Sequence, residues 1–521
     1  MLAVGAAATA FALAVVFGAR AAGGADTAGY LSQAYLWLEG DLFIGQPLST
    51  EVPWPHGRQS LTPLGYAPGG NSTAVPVYSP GLPLILAAVI ALLGDCAPYF
   101  VPPAFAALLV WATFWLGSRL TGDSRGSLIA TGLMLSAPTF LFNIMTLMSD
   151  TACAAFWTLA LAFAAGRTRR SAAAAGLACG LAVLVRPNLA PAALVVAAAA
   201  ESWRPADAPR WRRAAMILAG VAPAALLVGA VNNALYGSPL LSGYGPTRSL
   251  YSVDHLWTNV RQFGTWLLQS EGAVLWPLAL VLVIGRSAVT AATVRRLVPL
   301  LAFGAAIVVA YLFYLPFDAW WFLRFLLPAF PVLFITIGVA MSGLFSRTPS
   351  PLLRTALGAL LLTAAVTRLA PYWTEIRSLG RHEQRYAAVG AFVDTALPAN
   401  AAVLSMQHSS SIRFYSGRMI VRYDAFSAAR FESAVEWLQA RGFHPYLVLD
   451  DAEVPDFTRR FATTGPTGRL DVRLVGEWTA GGRVRVYDVL APPAAGDVFP
   501  IVPRPAQRCL RPHPNWSRDV R

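Results

Sequence analysis

The chain contains no lysine. All 40 of its Lys/Arg-type residues are arginine. A lysine base or a lysine phosphate clamp is therefore excluded, and any anion must be held by guanidinium groups or backbone N–H groups. Charge of either sign is scarce: 13% of the 521 residues are charged, against about 25% in a soluble domain. With 56% hydrophobic residues and a mean hydropathy of +0.52, an ordinary soluble enzyme is excluded. Motifs are missing too. There is no Walker loop, no dinucleotide-binding glycine fingerprint and no His-Glu-x-x-His, so soluble nucleotide-dependent chemistry is not indicated. Cysteine is rare, at 4 residues, with no Cys-x-x-Cys spacing. Cys153 and Cys179 fall inside apolar runs and read as core. Cys96 and Cys509 fall outside them, which leaves a disulfide between these two open.

What the chain has is long apolar runs, recurring from its start to about Tyr372. They predict a polytopic α-helical membrane protein. Spans are read at 1–19, 100–118, 125–145, 150–166, 171–185, 187–200, 214–235, 272–286, 297–317, 324–345 and 352–372, about eleven transmembrane helices. The run 1–19 reads as an uncleaved first span, with a signal peptide cut near Ala-Arg-Ala-Ala as the alternative. The pair 171–185 and 187–200 reads as a tight hairpin broken at Arg186-Pro187.

The arginines fix the orientation. They cluster in five short loops, at Arg119 and Arg125, at Arg167, Arg169 and Arg170, and at Arg204, Arg210, Arg212 and Arg213. The last two are at Arg286, Arg295 and Arg296, and at Arg347 and Arg354. All five fall on one side, which the positive-inside rule makes cytoplasmic. The net charge of +13 is thus a topology signal and does not point to nucleic acid. The reading is a multi-pass protein of the cell (inner or plasma) membrane with a cytoplasmic N-terminus. It requires that the apolar segment 80–95, with two prolines, lie at the outer interface rather than cross. The alternative is that it crosses and that 171–200 crosses once.

Three segments are then extracytoplasmic: 20–99, which holds an amphipathic helix at 28–38, then 236–271, and the tail. The domain organisation expected is a membrane domain over 1–372, a small α/β domain over 373–491 and an irregular extension over 492–521. In the tail, helices are predicted at 385–397 and 430–442, and strands at 402–406, 446–450, 471–478 and 483–490.

Few charges lie at the outer ends of the spans. Asp26 follows the first span directly. Asp150 starts another in Met-Ser-Asp-Thr, where capping of the helix is the structural alternative. Arg186 sits before Pro187. Arg324 sits in Trp-Trp-Phe-Leu-Arg-Phe, where it either snorkels beside the aromatics or clamps an anion, with Asp318 as a candidate partner. Tyr30 lies one turn past Asp26 and either faces the same site or packs. His56 and the stretch 65–78 are candidates for an acceptor cleft or plain loop, and His408 reads as structural.

In sequence order, these pieces resemble the polyprenyl-phosphate-sugar-dependent glycosyltransferases of the GT-C fold, of the protein O-mannosyltransferase and aminoarabinose-transferase type. The matching stretches are Ala-Asp-Thr-Ala-Gly-Tyr, Tyr-Ser-Pro-Gly-Leu-Pro-Leu, Met-Ser-Asp-Thr, Gly-Leu-Ala-Val-Leu-Val-Arg-Pro, Asn-Asn-Ala-Leu-Tyr-Gly-Ser-Pro-Leu and Arg-Phe-Leu-Leu-Pro-Ala-Phe-Pro. Together they cover roughly 1–345. The resemblance implies a polyprenyl-phosphate-linked sugar donor in the bilayer and a glycan, lipid or protein acceptor. It also implies a single inverting displacement. Asp26 would be the base, and Asp150 the second acid, for metal or acceptor. Arg324, Arg186 and Tyr30 are the candidates for holding the lipid phosphate and substrate. Many relatives have Asp-Glu where this chain has Asp26-Thr27. That difference leaves a divalent metal on Asp26 and Asp150 open, and no other cofactor is implied. The competing class is a transporter or lipid-carrier flippase, for which repeats and midplane charges are the expected marks.

Overall fold

The computed structural model describes residues 1–204, 211–284, 290–425, 427–493, 498–502 and 511–517. Every apolar segment read as a span is helical within these residues, starting with Leu2–Phe17 and Val101–Thr121. Among the described residues, five helices are by themselves long and apolar enough to cross a membrane. A sixth span results if the bent pair Ser124–Leu135 and Pro138–Ile144 is counted as one. Four more apolar helices are shorter: Leu2–Phe17, Gly81–Leu93, Ser149–Ala164 and Ala192–Ser202.

Small residues let these helices approach closely. A Cβ on Gly220 of Arg212–Tyr236 would sit 2.7 Å from the Gly176 carbonyl carbon of Arg169–Val185. Contact at backbone distance is the packing expected where lipid offers no hydrophobic drive. Ser149–Ala164 is the innermost helix and is buried nearly all round, so it shows no polar face. The bend of 61° falls at Ser136-Ala137-Pro138, where the proline cannot continue the hydrogen-bond ladder. Arg368 repairs the break: it donates to the Leu133 carbonyl and to Ser136 Oγ (2.7 Å) and pairs with Glu271. Glu271 and Arg368 are both buried, and this charge pair went unread in the sequence.

The arginine loops gather at one end of the bundle. Arg119, Arg167, Arg204, Arg295 and Arg296, from four of the five loops, line one cavity there. Arg210 and Arg286 lie outside the described residues. Asp150 and Arg186 stand at the other ends of helices that lead to these loops, and Asp26 follows Leu2–Phe17, which packs on Val101–Thr121. Gly81–Leu93 stays at the Asp26 end, packed on Asp26–Glu39. At 13 residues it is roughly 20 Å long, short of the ~30 Å hydrocarbon core.

Two expected boundaries differ. The segment after Tyr236 was read as loop to residue 271, but the next helix is Leu256–Ile284, beginning well before the apolar run. Its first turns carry Asn259, whose Nδ2 donates to the carbonyls of Leu312 (3.0 Å) and Tyr314 (2.6 Å), so buried polar contacts replace apolar ones. The second is the membrane–tail junction near 372, where no linker occurs. Pro351–Ala396 is one helix of 46 residues that carries the last apolar segment directly into the tail.

The tail is built on a six-stranded sheet in the order Met419–Val421, Ala401–Leu404, His444–Asp450, Val484–Asp488, Arg473–Trp478, Phe499–Pro500. Alternate residues face two cores. Val403, Val448 and Val486 meet Ala388, Val389 and Val393 from the end of the long helix. Leu404, Leu447 and Leu449 meet Phe431, Leu438, Phe457 and Phe461 from two outer helices, Phe431–Ala440 and Val454–Phe461. The helices Ser409–Ser416 and Val454–Phe461 and the strand Met419–Val421 are additional to the elements read in the sequence.

The extension after 491 was expected to be irregular. Residues 511–517 are non-helical but firmly packed. Trp516 is buried against Phe414, and Arg413 Nε donates to its carbonyl (2.7 Å). Cys96 is disulfide-bonded, Cys153 and Cys179 are free and buried, and Cys509 lies outside the described residues.

Candidate active site

Four charged side chains read separately in the sequence meet at one point. Asp26 opens the helix Asp26–Glu39, set just beyond Leu2–Phe17 by a short turn. That turn is fixed from several sides. Ala19 N donates to the Met145 carbonyl (2.6 Å), and Ala22 N donates to the Tyr415 hydroxyl (2.5 Å) from the tail. Asp150 lies in the first turn of Ser149–Ala164. Its side chain does not cap that helix, since the N-cap residue is Met148 and no side-chain cap bond forms. Instead Asp150 Oδ1 accepts from Arg186 Nη2 at 2.7 Å.

Arg186 ends Arg169–Val185, where Pro187 stops the helix and the chain turns through Pro187–Leu189. Each nitrogen of its guanidinium donates one hydrogen bond, which leaves one N–H on each Nη uncommitted. Besides Asp150 it donates to Ser149 Oγ (3.3 Å) and the Tyr311 hydroxyl (3.0 Å), and it lies over the Phe325 ring at 5.2 Å. Arg324 sits in the 3₁₀ stretch Trp320–Ala329 and turns inward rather than snorkelling. Its Nη2 is 3.3 Å from Asp26 Oδ2 and its Nε is 4.0 Å from Asp150 Oδ2. Asp318, the neighbour in sequence offered as its partner, makes no ion pair with Arg324.

The two carboxylates differ in kind. Asp150 is wholly buried, and its bond length suits a strong charge-assisted hydrogen bond. The Asp26 side chain is 34% exposed, and its contact to Arg324 is longer than such bonds usually are. Its other oxygen accepts from the Tyr78 hydroxyl at 3.0 Å. Burial, then the Asp26 charge, holds the Tyr78 hydroxyl well above its usual titration range, so Tyr78 remains a donor. Arg324 Nε and Asp150 Oδ2 are buried and carry no hydrogen bond of their own.

Tyr30 meets the cluster only indirectly. It is buried, its hydroxyl donates to Ser149 Oγ (3.0 Å) and its ring lies 4.4 Å from that of Tyr78. Burial, then the nearby Asp26 charge, raises its hydroxyl well above the usual range. Tyr30 therefore packs and positions, and the contacts found do not present it to a ligand. His56 is exposed at a positive φ of 58° before the short helix Gly57–Ser60 and is not part of the cluster. His408 is buried in the tail, 3.6 Å from Asp450, in keeping with a structural residue.

Sequence reading missed Ser149 and Tyr311 as members of the site, and had Tyr78 only as the end of the stretch 65–78 offered for an acceptor cleft. Tyr78 has a local signal, standing before the Ser-Pro-Gly that starts Gly81–Leu93. Its access to Asp26 depends on Gly29, whose Cβ, if present, would fall 2.0 Å from the Tyr78 ring. Tyr311 has no such signal, being one tyrosine in an apolar helix.

Known structures share this architecture. ArnT from Cupriavidus metallidurans, solved bound to undecaprenyl phosphate, aligns over 95% of this chain and 99% of its own, with a TM-score of 0.55 at 15% identity. The apo oligosaccharyltransferase of Archaeoglobus fulgidus aligns over 95% of this chain and 75% of its own (TM-score 0.53, 13% identity). The arabinofuranosyltransferase AftD from Mycobacteria aligns over 95% of this chain but 40% of its own (TM-score 0.51, 16% identity). No family model matches the sequence, and no curated protein matches it by sequence. The chain has the GT-C fold.

Proposed function

We propose that this chain, on its GT-C fold, is an integral-membrane glycosyltransferase. It moves a sugar from a polyprenyl-phosphate donor to an acceptor hydroxyl. The observation that carries the reading is the asymmetry of the charged cluster. Asp150 is locked to Arg186, whereas Asp26 is loosely held and partly open. A base must reach its substrate, and Asp26 is the carboxylate of the cluster that does so. A lysine-free chain must meet a phosphate with arginine, and Arg186 and Arg324 stand beside that base. The fold likeness supports the reading further, since one protein of this architecture was solved with undecaprenyl phosphate bound.

In the proposed reaction Asp26 takes the proton of the acceptor hydroxyl. The oxygen attacks the anomeric carbon as the bond to the phosphate oxygen breaks, with inversion. The lipid phosphate leaves carrying the electron pair, and Arg324 and Arg186 stabilise its charge. Tyr78 orients Asp26 through its hydrogen bond. A divalent cation fits this donor set poorly. Both carboxylates face guanidinium groups, and among the described residues no group of three or more His, Cys, Asp and Glu side chains is placed to hold a metal. No step is assigned to a metal.

The test is turnover of polyprenyl-phosphate sugars by purified protein in bilayers, wild type against Asp26→Asn. The loss expected for removal of a positioned base is about 10²–10⁴-fold. Equal rates would remove Asp26 from the chemistry. No turnover with any donor, together with solute flux into liposomes, would support a transporter instead.

A further inference from the structure

At the end of the bundle opposite Asp26, a second charged site is built around a cavity of about 520 Å³. Five arginines line it: Arg119, Arg167, Arg204, Arg295 and Arg296. They come from the ends of four different helical segments, so the cavity is made by the bundle and not by one basic loop. Its volume is within the roughly 300–1,000 Å³ typical of small-ligand sites. Tyr311 of the Asp26 site and Arg296 share the helix Ala291–Leu312, which separates the two sites by roughly 22 Å.

Among the described residues the positive charge here is poorly balanced. Glu201 supplies the one carboxylate found in an ion pair at this end among the described residues, with Arg204 at 3.6 Å. That carboxylate already accepts from the backbone N–H groups of Trp211 and Ala214, each at 3.1 Å. Arg296 Nη1 donates to the Leu120 carbonyl (3.0 Å), and Arg119 lies over the Trp115 ring at 5.2 Å. Neither contact cancels charge. Arg167 and Arg295 have no carboxylate partner among the described residues.

We propose that this cavity binds the phosphate headgroup of an anionic phospholipid from the leaflet opposite the Asp26 site. Two observations favour a lipid over a free anion. The cavity lies at the end of a membrane bundle, where headgroups are the most concentrated phosphate. Trp203 lines it, donating from Nε1 to the Arg296 carbonyl (3.0 Å), and tryptophan beside arginine marks the interfacial depth. Basic pockets between membrane helices are known to take such headgroups.

The experiment measures binding of fluorescent phosphatidylglycerol to the full chain in mixed micelles. Phosphatidylcholine and inorganic phosphate are the comparison probes. Phosphatidylglycerol should bind and phosphatidylcholine should not. Arg167→Gln/Arg295→Gln should weaken binding about 30-fold, equivalent to ~2 kcal/mol, and each single change about 5-fold. Arg295→Lys should keep most of the affinity, so the singles decide the matter if the double variant does not fold. Arg347→Gln, on a different arginine loop, should bind as wild type does. Binding unchanged in the double variant and the singles, or weakened equally by Arg347→Gln, would overturn the site. Displacement of the lipid by an equal concentration of inorganic phosphate would overturn the lipid assignment.

Discussion

Replacing Arg186 by Gln separates what the charged cluster does for stability from what it does for chemistry. Asp150 is fully buried and takes its one hydrogen bond from Arg186. Removing that cation strips Asp150 of its hydrogen bond and leaves only Arg324 Nε, 4.0 Å from Oδ2, to oppose the buried charge, a change that costs about 3 kcal/mol and so raises the unfolded fraction about 10²-fold. The second substitution, Asp150→Asn, removes the stranded charge at nearly constant volume. The double variant should return to within ~1 kcal/mol of wild type, a coupling of at least ~2 kcal/mol in the double-mutant cycle, to which any cost of Asp150→Asn alone adds. Equilibrium unfolding in mixed micelles measures this. Turnover should behave differently. Both Arg186→Gln and the double variant should stay about 10²-fold below wild type, because on the proposed mechanism a guanidinium that stabilises the leaving phosphate is still missing. A single variant destabilised by less than ~1 kcal/mol would refute the buried-pair argument. A double variant with wild-type turnover would refute the phosphate role of Arg186.

Two other perturbations follow from the packing. Gly29→Ala places a methyl group in the Tyr78 ring, so the ring must move off Asp26. The expected result is about 1–3 kcal/mol of destabilisation together with slower turnover, and wild-type values for both would show that the ring has room to yield. Glu383→Gln should change how the protein responds to pH. Burial, opposed by Arg385, pushes the Glu383 carboxyl up to about 7, so its contribution to stability falls as pH rises from about 4.5 to 7. Burial, then the Arg385 charge, pushes neighbouring His382 down to about 4, so its contribution rises with pH from about 4 to 6.5. The two nearly cancel in wild type. In Glu383→Gln the unfolding midpoint should climb between pH 4 and 6.5, and a profile as flat as wild type would count against the Glu383 shift.

The charged site was legible because a charge in apolar sequence is conspicuous. Asp26, Asp150, Arg186 and Arg324 were each visible one at a time, and the structure brings them together. The pairing was less legible. Arg324 finds Asp26 across 298 positions; the sequence put Asp26 on the same face and in reach of Arg324, but the partner it offered by name was the neighbouring Asp318. Tyr78 was hidden in a Pro- and Gly-rich segment with no periodicity to show which side chains turn inward. Glu271 and Arg368 were hidden for the opposite reason, each looking like the polar end of a span until the bend at Pro138 supplied a third partner. In the tail, the alternating strands stood out. The helix Ser409–Ser416 did not, because its opening serines have poor helix propensity, and burial between the sheet and residues 511–517 holds it instead.

The helix Pro351–Ala396 has one last consequence. At 46 residues it runs roughly 70 Å from the membrane segment into the tail as one helix, with Pro371 inside it. Its surface is read at two heights. Gly380 meets the backbone at Phe17 and Gly18, just ahead of Asp26, and Ala388, Val389 and Val393 carry the sheet. Those two contacts are locked in angular phase. One residue inserted between them would swing the tail by roughly 100° about the helix axis and lift it by about 1.5 Å, so this stretch tolerates length changes only near whole turns. The tail is thus indexed to the candidate active site like a key cut on a single shaft, and a length variant here would misalign that site without touching any residue in it.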